Sequence, residues 1–160
     1  MKKYKNLKMI VCVGKDNIIG AQSATGNGLL WKIKEELLYF KSVTIGHTLL
    51  FGANTAKYVP VDLMKKDREV IILRSSMNIK ELLDKLSSEN KTIFVCGGKK
   101  IYEYFLENFE FDEIYLSVIK DHINIDACDT PLYLPKLENY GYKVKSKKDF
   151  KDFEAYILSK

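Results

Sequence analysis

Val95-Cys96-Gly97-Gly98-Lys99-Lys100-Ile101-Tyr102 decides the fold class. The apolar run from Thr92 to Cys96 reads as a buried strand, paired glycines end it, and a helical pattern starts at once and continues from Lys99 to Leu106. A strand that passes straight into a helix belongs to an α/β chain. Such a turn lets backbone approach a ligand closely, and the first N–H groups of the helix are free for an anion, although the same glycines also serve geometry alone. A second junction, Leu49-Leu50-Phe51-Gly52-Ala53-Asn54-Thr55, repeats the arrangement with amide and hydroxyl groups in its first turn. Neither junction matches the P-loop or the dinucleotide G-x-G-x-x-G pattern, which counts against kinase and ordinary Rossmann readings.

Working outward, Met9 to Val13, Thr48 to Phe51, Glu69 to Leu73 and Glu113 to Val118 also read as strands. Helical patterns fall at about Lys34 to Val43, Asn54 to Tyr58 and Ile79 to Leu86, the last opened by an Asn78 cap with Glu81 in the first turn. The stretch from Tyr142 to Lys160 alternates like two strands around a Lys151-Asp152 turn. This order predicts an α/β three-layer sandwich: a mixed, mostly parallel sheet covered by helices, with an antiparallel hairpin at the C-terminus. At 160 residues and 46% hydrophobic content the chain suits one domain, expected over 8–160 behind a basic tail at 1–7.

The apolar run Met9 to Val13 is too short for a signal-peptide core or a membrane span, so a cytoplasmic protein without membrane contact is expected. Cys12, Cys96 and Cys128 are odd in number and lack the spacing of a zinc site or disulfide framework, so no metal is expected. The net charge of +5 is spread over lysines interleaved with 21 acidic residues. A diffuse field of that kind suits a small anionic ligand or solubility at least as well as a nucleic acid.

Leu29-Leu30-Trp31-Lys32-Ile33-Lys34-Glu35-Glu36-Leu37-Leu38-Tyr39-Phe40-Lys41 carries the chemistry. On a 3.6-residue period Ile33, Glu36, Leu37, Phe40 and Val43 share one stripe, with Lys34, Glu35, Leu38, Tyr39 and Ser42 elsewhere. A carboxylate on an apolar stripe is either a partly exposed group at its edge or a desolvated acid with a raised pKa, able to hold a proton near neutrality. Of 26 basic residues only Arg68 and Arg74 are arginine. Each is either an ordinary surface cation or a planar fork kept for a carboxylate or phosphate.

Taken in order, Ile10 to Val13, Ile18-Ile19-Gly20, Leu30-Trp31, Glu36 to Lys41, Phe51-Gly52 with Thr55, Arg68 to Leu73, Cys96-Gly97-Gly98 with Tyr102, Tyr115-Leu116-Ser117 and Asp129-Thr130 resemble the dihydrofolate reductase family over nearly the whole chain. The resemblance implies hydride transfer from NADPH to the pterin of 7,8-dihydrofolate, with a proton delivered to the neighbouring ring nitrogen. Glu36 then matches the single buried acid of the family, Ser117 a hydroxyl that supports it, and Trp31 an indole that helps hold an ordered water. Val11, Cys12, Leu29, Leu37, Phe40, Cys96 and Tyr102 match positions around the substrate, and Arg68 matches the arginine that takes the glutamate tail. Cofactor positions by the same resemblance are Val13, Ile19, Gly20, Gly52, Ala53, Asn54, Thr55, Leu73, Arg74, Ser75, Cys96, Gly97, Gly98, Lys99, Lys100, Ile101 and Thr130, with Ile19 and Gly20 opening a lid over the nicotinamide. A monomer is expected.

The chain also departs from the family pattern. The loop from Gly20 to Trp31 is long, Leu30 stands where proline usually precedes the tryptophan, and Ala53 stands where many relatives carry a cation for the 2′-phosphate. Arg74, Ser75, Lys99 and Lys100 are the groups placed to replace that charge. Lys99 follows Gly-Gly where a third glycine occurs, Cys128 stands where glycine is frequent, and Val59 to Asp67 matches poorly. Two other readings are a same-fold reductase acting on another heterocycle, such as the riboflavin-pathway pyrimidine, and a non-enzymatic basic nucleic-acid binding domain. Glu36 together with Arg68 separates the first from the family reading. For the second, the nearest basic aromatic stretch, Tyr140 to Lys145, is explained more simply by an amphipathic strand.

Overall fold

The computed structural model describes residues 2–22 and 30–160. In chain order it contains β1 (Lys2–Lys3), β2 (Leu7–Val13), β3 (Ile18–Ala21), α1 (Lys34–Thr44), β4 (Thr48–Gly52), α2 (Ala53–Ala56), α3 (Val61–Met64) and β5 (Glu69–Leu73). There follow α4 (Ile79–Ser88), β6 (Ile93–Val95), α5 (Lys99–Asn108), β7 (Phe109–Glu110), β8 (Glu113–Ile119), β9 (Pro131–Tyr133), β10 (Lys143–Asp149) and β11 (Phe153–Ser159). Seven strands form the central sheet in the order β10-β11-β8-β2-β6-β4-β5. The pairs among β8, β2, β6, β4 and β5 are parallel, and the hairpin β10-β11 adds to β8 antiparallel.

Both faces of the sheet are covered, which is why its inner strands are apolar at almost every position. On one face Met9, Val11, Val13, Leu50 and Val95 pack with Leu83 and Leu86 of α4 and with Phe105 and Leu106 of α5. The opposite face sends Ile10, Leu49, Phe51 and Phe94 against Phe40 and Val43 of α1 and Met64 of α3. The expected three layers and C-terminal hairpin are therefore present. Helix α4 begins as its sequence requires: Glu81 N–H donates to Asn78 Oδ1 at 3.1 Å, a cap that contributes roughly 1 kcal/mol.

Several details differ from the sequence reading. The segment expected as a basic tail carries two apolar anchors, Tyr4 and Leu7, which bury into the main core while Lys2 and Lys3 pair with β7. Helix α2 is a single turn, shorter than 54–58, and α3 lies in the stretch that had no reading. On α1 the buried face is rotated from the expected stripe: Leu37 is 41% exposed, whereas Tyr39 packs on Phe150 and Phe153 with ring centroids 5.5 and 5.9 Å away. The hairpin turn reaches across to α1 and gives Tyr39 apolar cover, a contact that helical periodicity does not contain.

Candidate active site

Three strands end side by side where the glycines lie. Gly52, at the end of β4, donates its N–H to the Gly97 carbonyl beyond β6 at 2.8 Å, and Gly52 is the register partner of Leu73 at the end of β5. The two glycine junctions, 45 positions apart in the chain, are thus one place. The carboxyl ends of parallel strands are where open α/β sheets bind ligands. Arg74 and Ser75 follow β5 there, both exposed, and Ala53 and Asn54 are exposed beside them. Helix α5 starts at Lys99 with Gly98 as its N-cap and no side-chain cap, which leaves its first-turn N–H groups free to donate to an anion.

Close approach explains the glycines. A Cβ on Gly98 would stand 2.8 Å from Thr55 Oγ1, and one on Gly52 would stand 2.8 Å from Ile101 Cγ1. Gly97 has φ +116°, a conformation that L side chains rarely adopt, and its Cβ would lie 3.2 Å from the Tyr102 hydroxyl. Gly97→Ala is expected to destabilise the fold by about 1–3 kcal/mol and to weaken dinucleotide binding at least tenfold. Chemical denaturation and a binding titration of the same variant would check both, and wild-type values would remove the glycine from the site.

Glu36 lies in the first turn of α1, beside Cys12 of β2, and is 6% exposed. Burial lifts its carboxyl from the ordinary 4.5 to about 7, since the charged form is desolvated without a basic partner to offset it. Around it, Cys12 of β2 is the register partner of Ser117 of β8, so both point to the α1 face of the sheet. Burial first, and the neighbouring Glu36 charge second, push the Cys12 thiol well above its ordinary range. Cys96 is likewise raised by burial. Tyr102 is raised chiefly by burial and keeps its proton, donating it to the Ile10 carbonyl at 2.8 Å. These groups are proton holders, not nucleophiles, and they leave Glu36 as the acid that titrates near neutrality.

Trp31 is 4% exposed among Ile18, Leu30, Ile33 and Phe153. Its indole Nε1 is buried and, among the described residues, has beside it only the Cys12 thiol, a weak acceptor. A buried N–H without a strong acceptor costs about 1–3 kcal/mol. Leu37, exposed on α1 one residue beyond Glu36, and half-buried Phe40 add apolar wall.

Arg68 sits at the far end of the same side of the sheet, just before β5, and is 8% exposed. It donates from Nε to Asp67 Oδ1 at 2.8 Å and from Nη1 to Thr44 Oγ1 at 3.2 Å. It also borders a cleft of about 380 Å³ lined by His47, Glu69, Asn90 and Lys91 at the amino ends of β4, β5 and β6. The glycine corner, Glu36 and Arg68 thus mark a track from the carboxyl to the amino ends of the parallel strands, and several other expected residues lie off it. Val11 and Val13 are buried toward the other face of the sheet, in the core with α4 and α5, and only their backbone is open to a site role. Ile19 and Gly20 lie in β3, which pairs with β9, and Gln22 N–H donates to the Thr130 carbonyl at 2.8 Å. Leu29 and most of the expected lid lie outside the described residues. Thr44 and Asp67 carried no signal in sequence terms: Thr44 is one more hydroxyl at the end of a helix, and Asp67 stands in the stretch that matched nothing. Among the described residues no cluster of His, Cys, Asp and Glu is placed to hold a metal, and no helix is long and apolar enough to cross a membrane.

Fold and site describe an α/β protein with a buried carboxyl raised to about 7 on the α1 face of the sheet and a glycine corner at the carboxyl ends of its parallel strands. The family model for dihydrofolate reductase matches residues 6–158. The dihydrofolate reductase of Mycoplasma genitalium is 31% identical over 108 residues, covering 59% of this chain and 66% of that one. That of Buchnera aphidicola subsp. Acyrthosiphon pisum is 26% identical over 145 residues, covering 86% and 83%. Among solved structures, dihydrofolate reductase from Enterococcus faecalis, complexed with NADP(H) and RAB-propyl, superimposes with a TM-score of 0.71 over 99% of this chain and 98% of that one, at 17% identity. The chain belongs to the dihydrofolate reductase family.

Proposed function

We propose that this chain reduces 7,8-dihydrofolate to tetrahydrofolate with NADPH, and that Glu36 handles the proton. The observation that carries the reading is a lone acid, buried on the apolar cleft side of α1 and protonated up to about pH 7, in a chain of this family. NADPH, when bound, supplies the hydride. Glu36 fits the pterin's amino group and ring N–H, holding the ring while a proton reaches the nitrogen next to the reduced carbon. Ser117 and the Trp31 N–H act as positioning groups, the latter through the water its unpaired donor would hold. Leu37 and Phe40 would wall the pterin, and burial of the Glu36 carboxyl keeps its pKa high.

The residues present fit a dinucleotide phosphate. The cradle between Gly98 and Thr55 admits no Cβ, the start of α5 offers N–H groups, and Arg74, Lys99 and Lys100 surround it with positive charge. Arg68 would take the tail carboxylate. The three cysteines are free thiols, in keeping with a reducing cytoplasmic setting, and a monomer is part of this reading.

Cofactor oxidation by the purified protein with dihydrofolate, run with NADPH and NADH in parallel, tests this reading. Turnover with NADPH is the expected result, and none with either cofactor would overturn it. Because Ala53 offers no charge, Arg74→Ala is expected to raise KM for NADPH about tenfold while leaving that for NADH within about twofold, the loss of one charge-assisted contact. Equal effects on both cofactors would place the 2′-phosphate elsewhere.

A further inference from the structure

The proposed tail site already holds a carboxylate of the chain's own. Asp67 Oδ1 accepts from Arg68 Nε at 2.8 Å, and its Oδ2 lies 3.8 Å from Lys41 Nζ. Asp67 therefore spans two cations at this end of the track. Its backbone is clamped: the Asp67 carbonyl accepts from Gly46 N–H at 2.9 Å, and the N–H groups of Asp67 and Arg68 both donate to the Met64 carbonyl. The Arg68 side chain is 5% exposed and held at its other edge by Thr44, so its fork cannot swing to a different partner. Two of its five N–H donors are thereby used, including the only one on Nε. Glu69, the next acid along, lines the same cleft but is engaged with Thr48 and with Lys91, whose charge offsets its own.

Charge sharpens the point. Arg68 and Lys41 bring two positive charges and Asp67 one negative, leaving one net positive charge against the two carboxylates of a glutamate tail. Two cations without Asp67 would favour each added tail carboxylate more strongly, since like charges set against one another across an interface cost specificity and association rate.

Resting on the dihydrofolate reading above, we infer that Asp67 is a specificity-determining residue: it occupies the Nε edge of Arg68 and offsets Lys41, and so lowers the chain's preference for substrates with anionic tails. A tail carboxylate is left the Nη groups of Arg68 and must approach beside Asp67. The chain accordingly distinguishes dihydropteroyl substrates that differ only in tail charge less sharply than Arg68 and Lys41 would without Asp67.

Asp67→Asn removes the charge while keeping an acceptor for Nε, and Asp67→Ala removes both. For each variant and the wild type, kcat/KM is measured with 7,8-dihydropteroate, which lacks the glutamate, with 7,8-dihydrofolate and with its triglutamyl form. The ratio of dihydrofolate to dihydropteroate is expected to rise about three- to tenfold in the variants. It is expected to rise further with the triglutamyl form, and the gain should shrink as salt is added. A ratio that stays put or falls in both variants, with the wild type turning over both substrates, overturns the role of Asp67 alone. A wild type that turns over neither substrate overturns the dihydrofolate reading, and this inference with it.

Discussion

Glu36→Gln is expected to lower kcat/KM for dihydrofolate about a hundredfold or more at pH 7, the share usually carried by a positioned acid or base. Glutamine keeps the shape and can still hydrogen-bond the pterin, but it cannot hold or pass a proton. In the wild type, activity should fall as pH rises above about 7, where the carboxyl loses its proton. Stability moves in a way that activity alone does not reveal. The folded chain keeps the Glu36 proton up to about pH 7, whereas an unfolded chain releases it near the ordinary 4.5. Between these values the native state binds more protons, so the wild type loses stability as pH rises, by about 3 kcal/mol once both carboxyls are charged. Below 4.5 there is no such loss. The glutamine variant has no titrating group there and should be the more stable protein at pH 8, with the advantage vanishing toward pH 4.5. Urea denaturation of both proteins at pH 5 and pH 8, beside turnover, checks the pair of effects. A variant with unchanged turnover would remove Glu36 from the chemistry; a stability difference independent of pH would mean its carboxyl is not desolvated.

Arg68→Lys is expected to raise KM for dihydrofolate about ten- to a hundredfold, chiefly in KM rather than kcat. Lysine keeps the charge but not the geometry. Arg68 serves Asp67 and Thr44 at once and still presents Nη donors along the cleft, and a single ammonium on a flexible stem cannot reach all of these from one position. Losing a charge-assisted hydrogen bond of this kind costs about 1.5–3 kcal/mol. The loss should be confined to substrates that carry the glutamate tail. An equal loss with dihydropteroate would show that Arg68 organises the site as a whole instead of gripping the tail.

Much of this was legible because it rests on local rules. The run from Val95 to Tyr102 announces a strand, a turn and a helix through apolarity, paired glycines and helical spacing. Asn78 before Glu81 announces the cap that is present at 3.1 Å. Glu36 could be singled out because a charged residue on an apolar stripe violates the pattern around it. Where the reading slipped, a distant partner had overridden the local rule. Tyr39 is covered by Phe150 and Phe153, more than a hundred residues later, and Leu37 is left open at the cleft. Tyr4 and Leu7 look like a tail among lysines until Phe109 and Phe111 give them a core to enter.

By itself, then, the sequence determined the class of fold, the order of the seven central strands and of α1, α2, α4 and α5, and the acid that stands apart, because periodicity, glycine and burial preference act within a few neighbours of each residue. Only the tertiary structure decided that the turns at Gly52 and Gly97 meet at 2.8 Å, that Cys12 lies beside Glu36 with Ser117 as its register partner, and that Trp31 Nε1 has no strong acceptor among the described residues. It also decided that Asp67 stands between Arg68 and Lys41. Each of these depends on which parallel strands lie side by side and on how a helix settles on them. That register is set by the packing of residues far apart in the chain, and a carboxylate's distance from a guanidinium follows from it.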